Sequence, residues 1–219
     1  MPATLLVAAH GTRSAAGSAT TRALVACVGA RRPAVPVSLC FLDVAEPSLA
    51  HALDELSGTD VVVVPLLLSG GYHVATDIPS VVEGRPRVRV AAHLGPDPLV
   101  IDAVAQRLFE VELTRPRSTV LAAIASSRPD ARGEVELAAT SLGARLGREV
   151  SVLHLSGDVG SVVAGLPGPV SVATYLLAEG GFLSSLHTAV AGRGVVAAPI
   201  GVHESLVSLI WTRYEAAVR

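Results

Sequence analysis

Short runs of aliphatic and β-branched residues alternate with longer segments of helical period along the whole chain, and that alternation admits few folds. The runs fall at residues 4–9, 35–41, 61–66 and 88–92, then at 119–124, 149–153, 170–174 and 195–198. Segments with helical spacing lie between them, at 17–31, 48–57, 98–113 and 133–146. Parallel strands need a crossover connection, usually a helix, so this order predicts a parallel sheet covered by helices. Half of the 219 residues are hydrophobic but only 3% are aromatic. The core is therefore built from Val, Leu and Ala, which suits strands buried on both faces.

A break falls near the middle. Arg115, Pro116 and Arg117 interrupt helical continuity just before the run at 119–124, so a domain boundary is expected there, giving domains 1–115 and 116–219. The two halves read as copies of one another. Thr4-Leu5-Leu6-Val7-Ala8-Ala9-His10-Gly11-Thr12-Arg13 aligns with Thr119-Val120-Leu121-Ala122-Ala123-Ile124-Ala125-Ser126-Ser127-Arg128, and Leu66–Tyr72 aligns with Leu176–Phe182. This pattern supports duplication of a unit of about 110 residues. The expected fold class is α/β, with two similar domains, each a four-stranded, mainly parallel sheet flanked by helices, and a cleft between them. One chain would then form a whole cleft, which favours a monomer and leaves a dimer possible.

Composition excludes several classes. A formal charge of −2 gives no electrostatic reason to expect a nucleic-acid partner. The longest apolar run, residues 61–68, is broken by Pro65 and falls far short of the roughly 18–20 residues that cross a bilayer. The first apolar run, residues 5–9, is too short for a signal peptide. Cys27 and Cys40 are not spaced as a zinc or redox motif. A reducing cytoplasm is the expected location.

Ligands of open α/β sheets bind beyond the carboxyl ends of the strands. His10 follows the first run, Asp43 the second, and His73 the third after Ser69-Gly70-Gly71-Tyr72. In the second half the aligned positions are Ala125, Ser156 and Leu183. Two imidazoles and a carboxylate at one sheet edge can hold a divalent ion or accept protons near neutral pH; they can equally be hydrogen-bonded structural groups. Gly11, Gly70 and Gly71 allow close backbone approach to a flat ligand or satisfy loop dihedrals. Arg13 can pair with ligand carboxylates or with solvent. Tyr72 and His93 stand at the same strand ends. His51, His154, His187 and His203 carry no mark of a ligand role.

The segments Leu5-Leu6-Val7-Ala8-Ala9-His10-Gly11-Thr12-Arg13 and Pro65-Leu66-Leu67-Leu68-Ser69-Gly70-Gly71-Tyr72-His73-Val74-Ala75-Thr76-Asp77-Ile78-Pro79 resemble the signatures of the class II chelatases of the CbiX/SirB type. Phe41–Ser48 and Leu94–Pro98 are similar to further family segments, and the second half resembles the degenerate second domain of the long members. The resemblance implies insertion of Co²⁺ or Fe²⁺ into sirohydrochlorin, for cobalamin or siroheme, with Ni²⁺ or Zn²⁺ accepted in vitro and no prosthetic group. It implies that His10 and His73 bind the metal and take part in removing protons from the macrocycle. Asp43, where the family often has Glu, is the candidate third metal-binding group, and Arg13, Gly70 (often Pro in the family), Gly71, Tyr72 and His93 are candidate substrate contacts from their place at the strand ends. Two alternatives are a non-catalytic carrier of metal or tetrapyrrole and a phosphohistidine hydrolase or mutase. The latter usually has Arg directly before its histidine, where this chain has Ala9.

Overall fold

A computed structural model describes residues 2–112, 114 and 116–219. Two four-stranded sheets, all parallel, are each flanked by helices on both faces. The first comprises β1 (Thr4–Ala9), β2 (Val37–Phe41), β3 (Val61–Leu66) and β4 (Val88–Val90), in the spatial order β2-β1-β3-β4. The second comprises β5 (Ser118–Ala123), β6 (Ser151–His154), β7 (Val170–Tyr175) and β8 (Gly194–Val196), in the matching order β6-β5-β7-β8. Every residue of β1 and β3 is buried, as runs without polar alternation require of a sheet covered on both sides.

The crossovers are α1 (Ala15–Arg31), α2 (Leu49–Glu55) and α3 (Ile78–Val82) in the first half, and α5 (Pro129–Leu146), α6 (Val159–Gly165) and α7 (Gly181–Val190) in the second. Their starts follow local chemistry. Ser14 caps α1 by accepting the Gly17 N–H, and Ser48 caps α2 by accepting that of His51. Gly147, in the left-handed region, ends α5.

Compactness divides the chain differently from the sequence boundary at 115/116, and Arg115 itself lies outside the described residues. One unit is Met1–Leu94 with Val202–Arg219; the other is Gly95–Gly201. The helix that ends each sequence repeat is therefore exchanged. Helix α4 (Pro98–Phe109) packs on α5 and β7, whereas α8 (Glu204–Val218) packs on α1, β3 and β4. In the first unit, α8 buries Leu206, Leu209, Ile210 and Trp211, and the indole N–H donates to the Val28 carbonyl at 3.2 Å. Arg213 donates to the His93 carbonyl and Tyr214 to that of Ala3, binding α8 to its sheet at 3.0 and 2.6 Å. The opposite face packs Leu6, Ala8, Cys40 and Val63 against Leu49, Leu53 and Ile78. Burial pushes the Cys40 thiol up to about 12, so it is a neutral core group.

Candidate metal centre

In a sheet ordered β2-β1-β3-β4, chain connections leave in opposite directions from β1 and β3, and the crevice between their carboxyl ends is where such folds bind ligands. His10 is the residue after β1. His73 lies beyond β3, at the start of a π-helical turn, His73–Asp77, that runs into α3. The two rings meet edge to face, with centroids 4.6 Å apart and planes at 90°. Chain positions 63 residues apart are thus brought into contact by the pairing of Ala9 with Leu66.

Each imidazole is held through Nδ1. In His10, Nδ1 lies 3.1 Å from the Gly11 carbonyl; in His73 it lies 2.6 Å from Oδ2 of Asp77. A carbonyl or carboxylate only accepts, so Nδ1 is the donor, and in the neutral ring Nε2 then holds a lone pair able to coordinate a cation. Asp77 was not singled out from the sequence, although its spacing of four from His73 is the signal, since such residues are neighbours on a helical turn.

Asp43 is joined to His10 through the backbone, its N–H donating to the His10 carbonyl at 2.9 Å. Its carboxylate accepts the Val44 N–H at 2.8 Å. Among the described residues no group of three or more His, Cys, Asp or Glu side chains is arranged around one cation position, so the carboxylate of Asp43 does not complete a triad with the two imidazoles. The loop around it is tight. Gly11 has φ of 97°, and a Cβ there would overlap the Asp43 carbonyl. Val44 is held at φ 49°, which costs a β-branched residue on the order of 1–2 kcal/mol.

Arg13 is exposed on the loop after His10. Gly70, Gly71 and Tyr72 form the turn between β3 and His73; Tyr72 is 62% exposed, and the Gly71 carbonyl accepts the Ala75 N–H. His93 follows β4 and is half-buried, with its carbonyl engaged by Arg213. His203 caps α8, its Nδ1 accepting the Ser205 N–H at 3.1 Å.

The second sheet corrects the alignment of the halves. Thr4 pairs with Val61 as Ser118 pairs with Val170. Leu6, Ala8, Val61 and Val63 occupy one core as Val120, Ala122, Val170 and Val172 occupy the other. The counterpart of His10 is therefore Ile124, not Ala125. By the same register His73 corresponds to Phe182, not Leu183, since Gly180 accepts the Ser184 N–H as Gly71 accepts that of Ala75. Matching identical letters slipped the register by one residue, which in a strand turns every side chain to the wrong face. The pairing of Asp43 with Ser156 stands, as Leu42 and Leu155 both donate to the last residue of the central strand.

The fold is that of the α/β chelatases. Residues 4–111 match the CbiX family profile, so the first half of the chain is a domain of the CbiX type. It is 25% identical over 124 residues to a sirohydrochlorin cobaltochelatase of Methanococcoides burtonii, an alignment covering 49% of this chain and 95% of that one. Among solved structures it resembles the sirohydrochlorin chelatase SirB of Bacillus subtilis subspecies spizizenii in complex with cobalt, with a TM-score of 0.82 and 23% identity over 99% of this chain and 95% of that one. It also resembles SirB from Bacillus subtilis with Fe³⁺, with a TM-score of 0.80 and 23% identity over 99% and 96% of the two chains.

Proposed function

We propose that this chain is a sirohydrochlorin metal chelatase that inserts Co²⁺ or Fe²⁺ into the macrocycle and releases the two pyrrole protons. The observation that carries this reading is the contact of His10 and His73 at the β1/β3 switch point, both with Nδ1 engaged and Nε2 available. Insertion needs a cation held strongly enough to be captured and by few enough ligands to be handed over, whereas a closed cysteine set would trap it. Neutral imidazoles meet that condition. Once the ion has left, the same Nε2 atoms are bases able to accept the protons that the macrocycle loses. Imidazole is a ligand for both Co²⁺ and Fe²⁺, so the reaction is proposed for both.

In this reading the metal is a substrate and no prosthetic group takes part. Asp43 serves through a bridging water, since its carboxylate caps the adjacent Val44 N–H. Arg13, three residues after His10, and Tyr72, directly before His73, are exposed and meet the acidic, flat substrate. Gly70 and Gly71 let it approach the turn backbone, and His93 borders it from the end of β4. The chain acts as a monomer in the cytoplasm. No helix among the described residues is long and apolar enough to cross a membrane.

Purified protein mixed with sirohydrochlorin and either ion is expected to convert the tetrapyrrole spectrum over many turnovers. The His10→Ala/His73→Ala double variant is expected to fall to the uncatalysed rate. Equal rates for wild type and double variant would overturn the enzymatic reading, and conversion stopping at one equivalent would favour a carrier.

A further inference from the structure

We propose that Asp77 is the positioning residue of the metal centre: it fixes the tautomer of His73 so that Nε2 is the atom offered to the cation. The proposal rests on the chelatase reading for what the cation is, and on the geometry of one turn for how it is held. Asp77 Oδ2 lies 2.6 Å from His73 Nδ1, with the two side chains 35% and 23% exposed. At that distance the bond is charge-assisted. A free imidazole distributes its proton between two nitrogens, and a donor that must be metal-ready has to keep one of them bare. A carboxylate on the far nitrogen does this and raises the basicity of the near one. The neighbouring His10 has only the neutral Gly11 carbonyl for the same purpose, at 3.1 Å.

The turn that carries this pair is itself unusual. The Ile78 N–H returns to the His73 carbonyl, a span of five residues where an α-helix spans four. In the second sheet the corresponding segment, α7, is regular. Before the turn the halves match with His73 at Phe182; after it, buried Ile78 takes the place of buried Leu186. One residue has therefore been added between His73 and Ile78, and the added turn is where imidazole and carboxylate meet. The second sheet has Ser185 where the first has Asp77, beside a phenylalanine that needs no acceptor.

Two-bond ¹H–¹⁵N correlation spectra of the metal-free full chain read the tautomer directly. Wild type is expected to show His73 protonated at Nδ1, and Asp77→Ala to move the proton to Nε2 or to a mixture. Asp77→Asn keeps an acceptor oxygen without the charge, so it is expected to retain the Nδ1–H form. Co²⁺ affinity, measured by titration calorimetry, is expected to fall about 10- to 100-fold in Asp77→Ala and less in Asp77→Asn, with partial recovery in Asp77→Glu. In a His73→Ala background, Asp77→Ala is expected to change Co²⁺ affinity no further. An unchanged tautomer with affinity within twofold of wild type overturns the proposal, as does a full loss in the His73→Ala background. Should Asp77→Ala not fold, the isosteric Asp77→Asn carries the test, and wild-type affinity in that variant counts against the charge-assisted role. If the tautomer responds but wild type inserts no metal, the chelatase reading fails and the positioning role stands.

Discussion

The two sheets share a strand order and equivalent core positions, yet at the carboxyl ends of their central strands they differ at almost every polar position. Where the first presents His10, Asp43 and His73, the second presents Ile124, Ser156 and Phe182, with Ile124 and Phe182 half exposed. Where the first inserts a π-helical turn, the second runs a regular helix. The packed interior of this fold is thus indifferent to what its rim carries, as expected when function is grafted onto strand ends. The difference is also one of strain: a left-handed valine and an interrupted helix both lie beside His10 and His73, and Gly11 combines a positive φ with a close approach to a carbonyl.

The largest effect should come from the helix exchange, the one respect in which neither half is self-contained. Ending the chain after Gly201 removes α8 and with it buried Leu206, Val207, Leu209, Ile210, Trp211 and Tyr214. At about 1.5–3 kcal/mol per buried side chain, the loss is on the order of 10 kcal/mol, as large as the whole stability of a typical domain. The first unit is expected to be unfolded in that truncation, measured by loss of amide-exchange protection in β1 and β3. Protection retained there would show that each sequence repeat is a folding unit by itself.

A smaller effect should separate the two rims. Gly11 and its counterpart Ala125 occupy the same position after the central strand, but only the glycine has a positive φ. Gly11→Ala is expected to cost about 2–3 kcal/mol through strain and overlap, lowering Tm by roughly 5–10 °C at about 2–4 °C per kcal/mol. Ala125→Gly should stay within about 1 kcal/mol, the ordinary cost of added chain freedom. Equal shifts in thermal unfolding would mean that the Asp43 loop yields to the new Cβ.

Strand placement, the two four-stranded parallel sheets and the place of the two histidines beyond strand ends were legible in the sequence, because buried parallel strands are unbroken aliphatic runs and both histidines directly follow such runs or their turns. Three things were not. The exchange of α4 and α8 is a tertiary choice: both helices are apolar on one face, and nothing in their own residues says which sheet they cover. The register of the second half was misread because Ala-rich strands offer several alignments of equal merit, while hydrogen-bond parity exists only in the folded ladder. The Asp77 contact was passed over although a spacing of four from His73 places the two on one face of a helical turn; what the pattern hid was the one-residue insertion, since 3.6 residues are assigned to every helical turn.

That insertion gives the finest test of the comparison. Deleting Thr76 leaves His73 and Ile78 four residues apart and brings the turn to the length found in α7, where Phe182 and Leu186 have that spacing. Because the second sheet already packs a buried side chain against a regular helix at this place, stability is expected to change by no more than about 1 kcal/mol, the scale of one helical hydrogen bond. Metal binding should respond differently. Shortening the turn alters the His73–Asp77 geometry, and Co²⁺ affinity is expected to drop by about 10-fold or more, in the range for loss of an outer partner. Chemical denaturation and Co²⁺ titration on the same sample separate the two. If stability fell by several kcal/mol with affinity unchanged, the π-helical turn would be a packing device of the first unit; stability preserved with affinity lost would make it part of the metal centre.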